Sequence, residues 1–308
     1  MGTLAITGVD GFVGRHLVAL ASARGWHVVG VARRPEPHPK IAPLLTGYYA
    51  ADLRREWPVV QQVDAVVHLA GLAAVGPSFS SPQHYLEANS AMVTTLCEGL
   101  LAQRRRTRVV GISTGAVYRA TESEPVSELA PVAETSPYVV SKLLVEHQLA
   151  YYARRGLDTV VVRPFNHIGP GQSAGFLLPD LTFAIAGLNA GASLRVGDLT
   201  TERDYTDVRD VAAAYLLLVE AEVHEEFVYN VASGQSLPGT RIAALVAATL
   251  GRPTPEVEID PARVRATDPR RIVGSAERLR KEFGWQPAIS VEESITDFVA
   301  SVTPGVGL

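Results

Sequence analysis

A glycine-rich turn near the start of the sequence constrains the fold of this chain more than any other feature. Residues 3–7 form a short apolar segment, typical of a buried strand, and the amphipathic segment 12–24 is typical of a helix. Gly8, Gly11 and Gly14 lie at their junction. The first glycine permits a tight turn, the second lets a pyrophosphate approach the backbone, and the third lets the helix pack close to its strand. The stretch predicts a dinucleotide site at a helix N-terminus, with an ordinary strand–helix turn as the alternative.

Apolar strands and helical patterns alternate through the first half of the chain. Strands are predicted at 3–7, 27–32, 64–69, 108–113 and 158–163, and helices at 12–24, 82–103 and 137–155. Strands without a polar face are typical of a parallel sheet that is covered on both sides. The alternation therefore predicts an α/β fold, a Rossmann-type doubly wound parallel sheet.

This alternation ends after Arg163, and the second half of the chain follows a different pattern. Further helices are predicted at 179–188, 208–220, 238–250 and 275–283, with a strand at 226–231 that returns to the sheet. We expect residues 1–165 plus about 208–232 to form the dinucleotide-binding domain. We expect residues 166–207 and 233–308 to form a smaller C-terminal lobe that binds the substrate.

Charge and cysteine content exclude several classes of function. The chain has 28 basic and 32 acidic side chains, a net charge of -4, which gives no electrostatic case for binding nucleic acid or an anionic membrane. No apolar run reaches membrane-spanning length, and we recognise no signal peptide. Cys97 is the only cysteine, so we expect no internal disulfide and a cytoplasmic location. The histidines show no metal-ligand spacing, so no metal is expected.

The end of the second strand carries the signal for cofactor choice. An acidic residue there selects NAD, whereas an arginine accepts the 2′-phosphate of NADP. Here Ala32 is followed by Arg33 and Arg34, which favours NADP(H), with NAD(H) as the alternative if the arginines only face solvent. Asp52 and Leu53 follow the expected third strand, where a carboxylate could accept a hydrogen bond from the adenine amino group; a surface aspartate is the alternative.

A tyrosine and a lysine four residues apart carry the signal for chemistry. Tyr138 and Lys142 would share one face of the helix predicted at 137–155. A nearby ammonium lowers the pKa of a phenol from about 10, so that Tyr138 could act as general acid or base. Thr114, just past the strand at 108–113, is the candidate hydroxyl that holds the reacting oxygen, with Ser113 in reserve.

Several motifs resemble, in order and spacing, the extended short-chain dehydrogenase/reductases of the NAD-dependent epimerase/dehydratase family, which act on nucleotide-diphosphate sugars. The motifs are GVDGFVG from Gly8, HLAG from His68, STGAVY from Ser113, SPYVVSK from Ser136 and RPFNHIGPGQ from Arg163. In the second half, VGDLTTERDYTDVRDVA and VGSAERLRKEFGWQP are similar to the GDP-4-keto-6-deoxymannose reductases. The resemblance implies NADPH-dependent reduction of the 4-keto group of a nucleotide-diphosphate 4-keto-6-deoxy sugar.

The resemblance also implies roles for single residues. Tyr138 would be the acid, Lys142 would lower its pKa and hold the nicotinamide ribose, and Thr114 would hydrogen-bond the substrate. Further substrate contacts are implied for Ser78, Asn166, Arg203 and Arg265, with Arg263 as an alternative to Arg265. Cofactor contacts are implied for Gly8, Gly11, Phe12, Val13, Gly14, Arg33, Arg34, Asp52, Leu53, Leu69, Ala70, Gly71, Tyr138 and Lys142.

Two other functions stay open beside the reductase. They are a nucleotide-sugar 4-epimerase and a non-catalytic sensor; a dehydratase is not expected. Family members that remove water from the sugar carry an acid just after the Thr114 position, and here Gly115, Ala116 and Val117 cannot move a proton.

A nucleotide-sugar 4-epimerase would use the same tyrosine and lysine, but such enzymes usually hold NAD. A non-catalytic dinucleotide sensor would typically lack the Tyr–Lys pair. Relatives often form homodimers through the helices predicted here at 82–103 and 137–155.

Overall fold

The computed structural model describes residues 2–59, 62–104, 106–119, 125–189, 191–263 and 269–302. A seven-stranded sheet lies at its centre, and every pair of neighbouring strands in it is parallel. In spatial order the strands are Val228–Val231 (β10), Asp158–Pro164 (β6), Arg108–Ile112 (β5), Ala65–His68 (β4), Thr3–Thr7 (β1), His27–Ala32 (β2) and Gly47–Ala50 (β3). The strand order reverses between β1 and β4, and the crevice at such a switch point is where α/β sheets bind ligands.

Helices cover both faces of this sheet because its strands are apolar on both sides. Phe12–Ala23 (α1) and Val208–Glu220 (α6) pack against one face, where Leu4 and Ile6 of β1 are fully buried. Pro82–Ala102 (α3) and Pro137–Arg154 (α4) cover the other face, where Ala5 is buried. Val75–Ser80 (α2) is a short helix ahead of α3. The doubly wound parallel sheet predicted from the sequence is confirmed.

A smaller lobe follows the sixth strand of the chain and has a core of its own, built from residues such as Leu178, Ile242 and Phe298. Its strands are Asn166–Ile168 (β7), Leu194–Val196 (β8), Glu202–Asp207 (β9), Ser236–Pro238 (β11), Val257–Ile259 (β12) and Arg271–Ile272 (β13). Its helices are Leu177–Gly187 (α5), Gly239–Thr249 (α7) and Val291–Val302 (α9). β7, β11 and β13 all pair with β9, and β8 pairs with β12. The sequence patterns had not predicted β7, β8, β9, β11, β13 or α9.

One predicted helix packs in a different place from the one we expected. Glu277–Phe283 (α8) falls in the segment assigned to the smaller lobe, yet Leu279 is fully buried in the core of the large sheet. Trp285 joins the same core, and its indole N–H donates to the carbonyl oxygen of Asp210 in α6 at 3.2 Å. The assignment of the whole segment 233–308 to the smaller lobe is therefore wrong for α8. None of the helices in the described ranges is long and apolar enough to cross a membrane.

Candidate active site

The glycine turn lies between β1 and α1 and is as tight as the sequence predicted. Gly8 has a φ of +66°, and a Cβ on it would lie 2.8 Å from the amide nitrogen of Ala70. A Cβ on Gly14 would lie 2.6 Å from the carbonyl oxygen of Val9, so only glycine lets α1 approach its strand this closely. No side chain caps the N-terminus of α1, and its first turn carries no acid. The N–H groups that begin at Phe12 are therefore suited to an anion.

An aspartate inside this turn, which the sequence analysis did not single out, anchors the loop that follows β2. The Asp10 carboxylate accepts hydrogen bonds from the backbone N–H of His38 at 2.7 Å and from the Tyr48 hydroxyl at 3.1 Å. Tyr48 also lies 2.8 Å from the carbonyl oxygen of Arg34. These contacts fix the loop carrying Arg33 and Arg34 against the glycine turn. A polar residue between two motif glycines was the signal in the sequence.

The residues predicted to select the cofactor lie at the expected ends of their strands. Arg33 and Arg34 directly follow β2; both are exposed, and neither forms an ion pair within the described part of the chain. Asp52 follows β3, but its carboxylate is paired with Arg54 at 2.5 Å, and this contact lowers its pKa to about 2. Leu53 is buried. The carboxylate thus has a partner in the structure, and its role toward the adenine amino group stays a prediction.

The carboxyl end of β4 is held by hydrogen bonds that leave its backbone facing the glycine turn. Thr7 Oγ1 lies 2.8 Å from His68 Nδ1 and accepts from the backbone N–H of Ala70 at 3.1 Å. Burial lowers the pKa of His68 to about 3, so the imidazole is neutral. Asn89 of α3 holds the next residues, because its Oδ1 accepts from the N–H of Leu72 at 2.8 Å. Gly71, which lies between Ala70 and Leu72, is exposed.

Tyr138 lies in the first turn of α4 and is buried, with 7% of its surface exposed. The helix begins there because Ser136 caps it, its hydroxyl accepting from the N–H of Val139 at 3.2 Å, and Pro137 fits the first position. Burial raises the pKa of Tyr138 to about 12, and hydrogen bonding with Thr114 acts in the opposite direction. The expectation of a lowered pKa is thus wrong for this structure, since burial outweighs the hydrogen bond with Thr114.

Lys142 lies one turn further along α4 and is almost as buried, with 8% exposed. Its ammonium donates to the carbonyl oxygen of Ile112 at the end of β5, over 2.8 Å. A Cβ on Gly71 would lie only 3.5 Å from Lys142 Nζ, so the ammonium reaches the backbone at the end of β4 as well. Burial lowers the pKa of Lys142 to about 8. A cation therefore stands where the ends of β4 and β5 meet α4.

Thr114 and Ser113 have hydrogen-bond partners in different parts of the structure. Thr114 is the second residue after β5, and its hydroxyl caps a short 3₁₀ turn by accepting from the N–H of Ala116 at 3.2 Å. The Ser113 hydroxyl instead donates to Glu146 Oε1 at 2.5 Å, on the buried side of α4. The structure thus brings Thr114 to Tyr138 and turns the reserve candidate Ser113 away from it.

A comparison with models of protein families matches residues 4–232 to one described as the NAD dependent epimerase/dehydratase family. The chain belongs to this family. A GDP-6-deoxy-D-mannose reductase from Pseudomonas aeruginosa is 37% identical over 302 residues, which cover 95% of this chain and 94% of the relative. A UDP-glucose 4-epimerase from Streptomyces lividans is 29% identical, over 93% of this chain and 92% of the relative.

Solved structures give the same relationship. The structure of RMD from Pseudomonas aeruginosa complexed with NADPH superposes with a TM-score of 0.82 at 33% identity, over 98% of both chains. The UDP-glucose 4-epimerase of Thermus thermophilus in complex with NAD superposes with a TM-score of 0.84 at 28% identity, over 97% of this chain and 98% of that one. This epimerase/dehydratase family member therefore has reductases and epimerases among its relatives.

Two of the substrate residues implied for this family member lie on neighbouring strands of the smaller lobe. Asn166 begins β7 and is exposed, and its register partner on β9 is Tyr205. Arg203 lies two residues before Tyr205 and is half-buried; one of its guanidinium nitrogens donates to the carbonyl oxygen of Glu202 at 2.7 Å. The parallel pairing of β7 with β9 thus brings an amide and a guanidinium to one small sheet.

The other implied substrate residues are less well supported. Ser78 is fully buried in α2, and its hydroxyl donates to the carbonyl oxygen of Val75 at 2.6 Å, so it has a structural partner already. Arg265 lies outside the described residues. Arg263 ends a 3₁₀ turn, Pro261–Arg263, after β12. The roles of all three stay predictions.

A loop of the smaller lobe docks on the first turns of α1. Arg15 donates to the carbonyl oxygen of Gly171 at 2.7 Å, and a nitrogen of the His16 ring lies 2.8 Å from the carbonyl oxygen of Pro170. Phe12 stacks on His167 with ring centroids 5.9 Å apart. The glycine turn and the beginning of the smaller lobe are therefore in direct contact, so the two lobes share the site.

A second cavity lies at the amino ends of β5 and β6, away from the glycine turn. This cavity, of about 530 Å³, is lined by Arg108, Asp158 and His224 among others. Asp158 pairs with Arg108 and His224, each at 2.9 Å, and Arg108 also donates to the carbonyl oxygen of Leu218 in α6. These partners give the cluster a structural role. No group of three or more His, Cys, Asp or Glu side chains within the described ranges is arranged to hold a metal ion.

Proposed function

We propose that this chain is an NADPH-dependent reductase of the 4-keto group of a nucleotide-diphosphate 4-keto-6-deoxy sugar. The observation that carries the proposal is the meeting of Tyr138, Thr114 and Lys142 at the carboxyl end of β5, beside the switch point of the sheet. The substrate class is supported by the GDP-6-deoxy-D-mannose reductase of Pseudomonas aeruginosa, to which the chain is 37% identical over 95% of its length.

The residues of the glycine turn fit a dinucleotide. The Cβ distances at Gly8 and Gly14 leave no room for a side chain, and the N-terminus of α1 is uncapped. Arg33 and Arg34 are exposed cations at the end of β2, which suits the additional phosphate of NADP. The NADPH found in the RMD structure supports the same choice. NAD(H), bound by the epimerase of Thermus thermophilus, is the alternative cofactor.

Bound at this site, NADPH would supply the hydride that converts the ketone to an alcohol. Tyr138 donates its phenolic proton to the carbonyl oxygen as negative charge develops there. Its pKa, raised to about 12, keeps the phenol protonated at neutral pH, which is the form that an acid needs. Thr114 hydrogen-bonds the same oxygen and so orients it toward the phenol.

Lys142 contributes charge and position. Its ammonium has three N–H groups, and the contact with Ile112 uses one of them. The remaining two can donate to the ribose next to the nicotinamide and stabilise the tyrosinate that proton transfer leaves on Tyr138. Asn166, Arg203 and Arg265 would bind the sugar diphosphate, since guanidinium groups match the oxygen pairs of a phosphate.

NADPH consumption tests this function against its competitors. The purified chain is incubated with NADPH and a panel of GDP-, dTDP- and UDP-linked 4-keto-6-deoxy sugars, with Tyr138→Phe as the matched control. We expect NADPH to be oxidised in proportion to the ketone that is consumed. A 4-epimerase would instead interconvert UDP-glucose and UDP-galactose without net loss of cofactor. A sensor would bind NADPH and turn over neither substrate, and either of these results would contradict the proposal.

A homodimer in the cytoplasm completes the proposal. The outward surface of α4 carries apolar residues that a second copy would cover, among them Leu144, 37% exposed, and Tyr151, 47% exposed. α3 packs beside α4 and would extend the same interface. A reducing compartment is supported by Cys97, which is buried and unbridged.

A further inference from the structure

Glu146 is a buried carboxylate that the chemistry described above does not use. It lies one helical turn after Lys142 on α4, and 7% of it is exposed. Arg163 of β6 donates two hydrogen bonds to it, at 2.8 Å from Nε and 2.6 Å from Nη2. The Ser113 hydroxyl donates a third at 2.5 Å. Arg163 of β6 and Ser113, the residue after β5, therefore hold this carboxylate in one orientation.

The network that holds Glu146 extends well beyond the ion pair. Arg163 also donates to the Tyr118 hydroxyl at 3.0 Å and lies over its ring, 4.9 Å from the centroid. Tyr118 in turn donates to Asn230 Oδ1 of β10 at 2.6 Å. The Asn230 amide donates to the carbonyl oxygens of Val126 and Ser275, both at 3.1 Å. Arg163 is thus fixed on the side away from Glu146, and it cannot leave the carboxylate without breaking these contacts.

Stability alone is a poor explanation for such a pair. Desolvating two charges costs several kcal/mol per ion, and apolar side chains of similar size often replace a buried pair without loss. The catalytic lysine lies next to it. The ionisable groups around Lys142 are Tyr138 and Glu146 on α4, His68 on β4 and Arg163 on β6. Helix α3 also packs against α4. Its Asn89, which lies next to Gly71, is neutral, and its Glu98 pairs with Arg155 at the other end of α4.

We propose that Glu146 is a positioning residue that keeps Lys142 protonated at the end of β5, with Arg163 and Ser113 fixing the carboxylate for this task. The inference rests on the proposed function, because Lys142 is there the group that holds the cofactor. Glu146 supplies the negative charge near the ammonium, since His68 is neutral and Tyr138 is protonated.

The pKa values agree with this role. Burial lowers the pKa of Lys142 to about 8, and the charge of Glu146 acts against that fall. An opposite charge near an ammonium favours its protonated form and raises its pKa. Without it, the neutral fraction of Lys142 would be larger at a given pH, and a neutral amine is the poorer donor to the cofactor ribose.

The test is the pH dependence of NADPH binding in Glu146→Gln, followed by cofactor fluorescence without any sugar substrate. Glutamine keeps the size, and its single oxygen can accept from Ser113 and from Arg163 Nε, but it removes the charge and leaves Arg163 Nη2 without an acceptor. We expect the rise of the NADPH Kd at alkaline pH to begin about one unit lower than in the wild type, with similar Kd values near pH 6. The groups that bind the 2′-phosphate are the same in both proteins, so they do not shift one curve against the other.

A second variant keeps the test decisive if the single change leaves Arg163 unpaired and prevents folding. Glu146→Leu with Arg163→Met removes both charges. A shift toward lower pH is expected in it too, smaller than in Glu146→Gln, because the lost Arg163 cation had acted against the ammonium. A purely structural role would lower the melting temperature and leave the pH curves superimposed. Superimposed curves together with normal turnover in the wild type overturn this inference alone. A wild type that binds no NADPH overturns the proposed function, and this inference with it.

Discussion

The ammonium of Lys142 donates a hydrogen bond to the carbonyl oxygen of Ile112 at 2.8 Å, which joins helix α4 to the end of strand β5 in the central sheet. The contact places a buried cation where the nicotinamide end of a dinucleotide would lie. The charge of Lys142 should contribute to NADPH binding. Because this charge is buried, it should also make the stability of the fold depend on pH.

Lys142→Met should lose both turnover and NADPH affinity, because methionine fills the space without donating to the ribose. It should also remove a pH dependence of stability. The pKa of Lys142 falls from 10.5 in the unfolded chain to about 8 in the fold, so the unfolded state binds more protons between these values and wild-type stability rises with pH there. Urea unfolding at pH 8 and 9.5 checks this rise, which the variant should lack. An equal rise in both proteins would contradict the buried charge.

Tyr138→Phe should lose a factor of about 10²–10⁴ in kcat, the usual contribution of general-acid catalysis. Its NADPH affinity should stay within a few-fold of the wild type, since only a hydroxyl is removed and the ring stays packed in its cluster with Val117 and Phe165. Single-turnover oxidation of NADPH by a 4-keto-6-deoxy sugar nucleotide measures the rate. Turnover close to that of the wild type would remove Tyr138 from the mechanism.

Arg33→Ala with Arg34→Ala should weaken NADPH binding and leave NADH binding unchanged. A guanidinium–phosphate contact contributes about 1.5–3 kcal/mol, so the NADPH Kd should rise about 10- to 100-fold. The matched control is Arg154→Ala, an exposed arginine at the end of α4. Calorimetric titration with both cofactors gives the comparison. Ala32→Asp with Arg33→Ala should move the preference further toward NADH. Equal Kd values for the two cofactors in the wild type would refute the assignment.

The chain should not remove water from GDP-mannose or dTDP-glucose. Elimination across C5 and C6 of the sugar needs an acid and a base beyond the tyrosine. Gly115 lies where they would stand, and a Cβ there would come within 2.8 Å of the Phe165 ring, so no acidic side chain fits without displacing that ring. Val117 is fully buried. Mass spectrometry of the sugar nucleotide after long incubation with NADP⁺ is the measurement. A dehydrated 4-keto product would require an acid elsewhere in the site.

Local patterns in the sequence predicted the parts of the site that depend on local structure. The spacing of Gly8, Gly11 and Gly14 marked the turn, and a separation of four residues put Tyr138 and Lys142 on one helix face. The short strands β7, β9 and β13 escaped prediction because a strand of two to six residues in a polar stretch has little periodicity. Their pairing decides where Asn166 and Arg203 lie, so the geometry of the substrate site could not be predicted.

Contacts between residues far apart in the sequence explain the remaining differences between the predictions and the structure. The sign of the pKa shift at Tyr138 depends on burial by other elements, which spacing on a helix does not reveal. Ser113 and Thr114 are neighbours in sequence, and only the position of Glu146 on α4 shows which hydroxyl is engaged. The placement of α8 depends on Trp285 and its contact with α6. Each of these outcomes rests on tertiary contacts between residues far apart in sequence.

Asp204→Ala should destabilise the fold and weaken substrate binding while leaving NADPH binding intact. Asp204 lies on β9 next to Arg203 and is 1% exposed. It accepts hydrogen bonds from the N–H of Ser233 at 2.8 Å, the Ser233 hydroxyl at 2.6 Å, the N–H of Gly234 at 2.9 Å and the N–H of Gly274 at 3.2 Å. Alanine would leave these donors without their acceptor, at a cost of about 2–4 kcal/mol in the free energy of unfolding.

Urea unfolding and the KM for the sugar nucleotide measure the two effects of this change. Asp198→Ala is the control, because that carboxylate lies in a loop and, among the residues that the structure describes, accepts hydrogen bonds from Thr200 alone. We expect the control to behave like the wild type in both measurements. The KM of Asp204→Ala should rise because β9, held by Asp204 against the loops at Ser233 and Gly274, also carries Arg203. An unchanged unfolding midpoint would show that solvent satisfies these donors. An unchanged KM would show that substrate binding by Arg203 does not depend on the contacts that Asp204 makes.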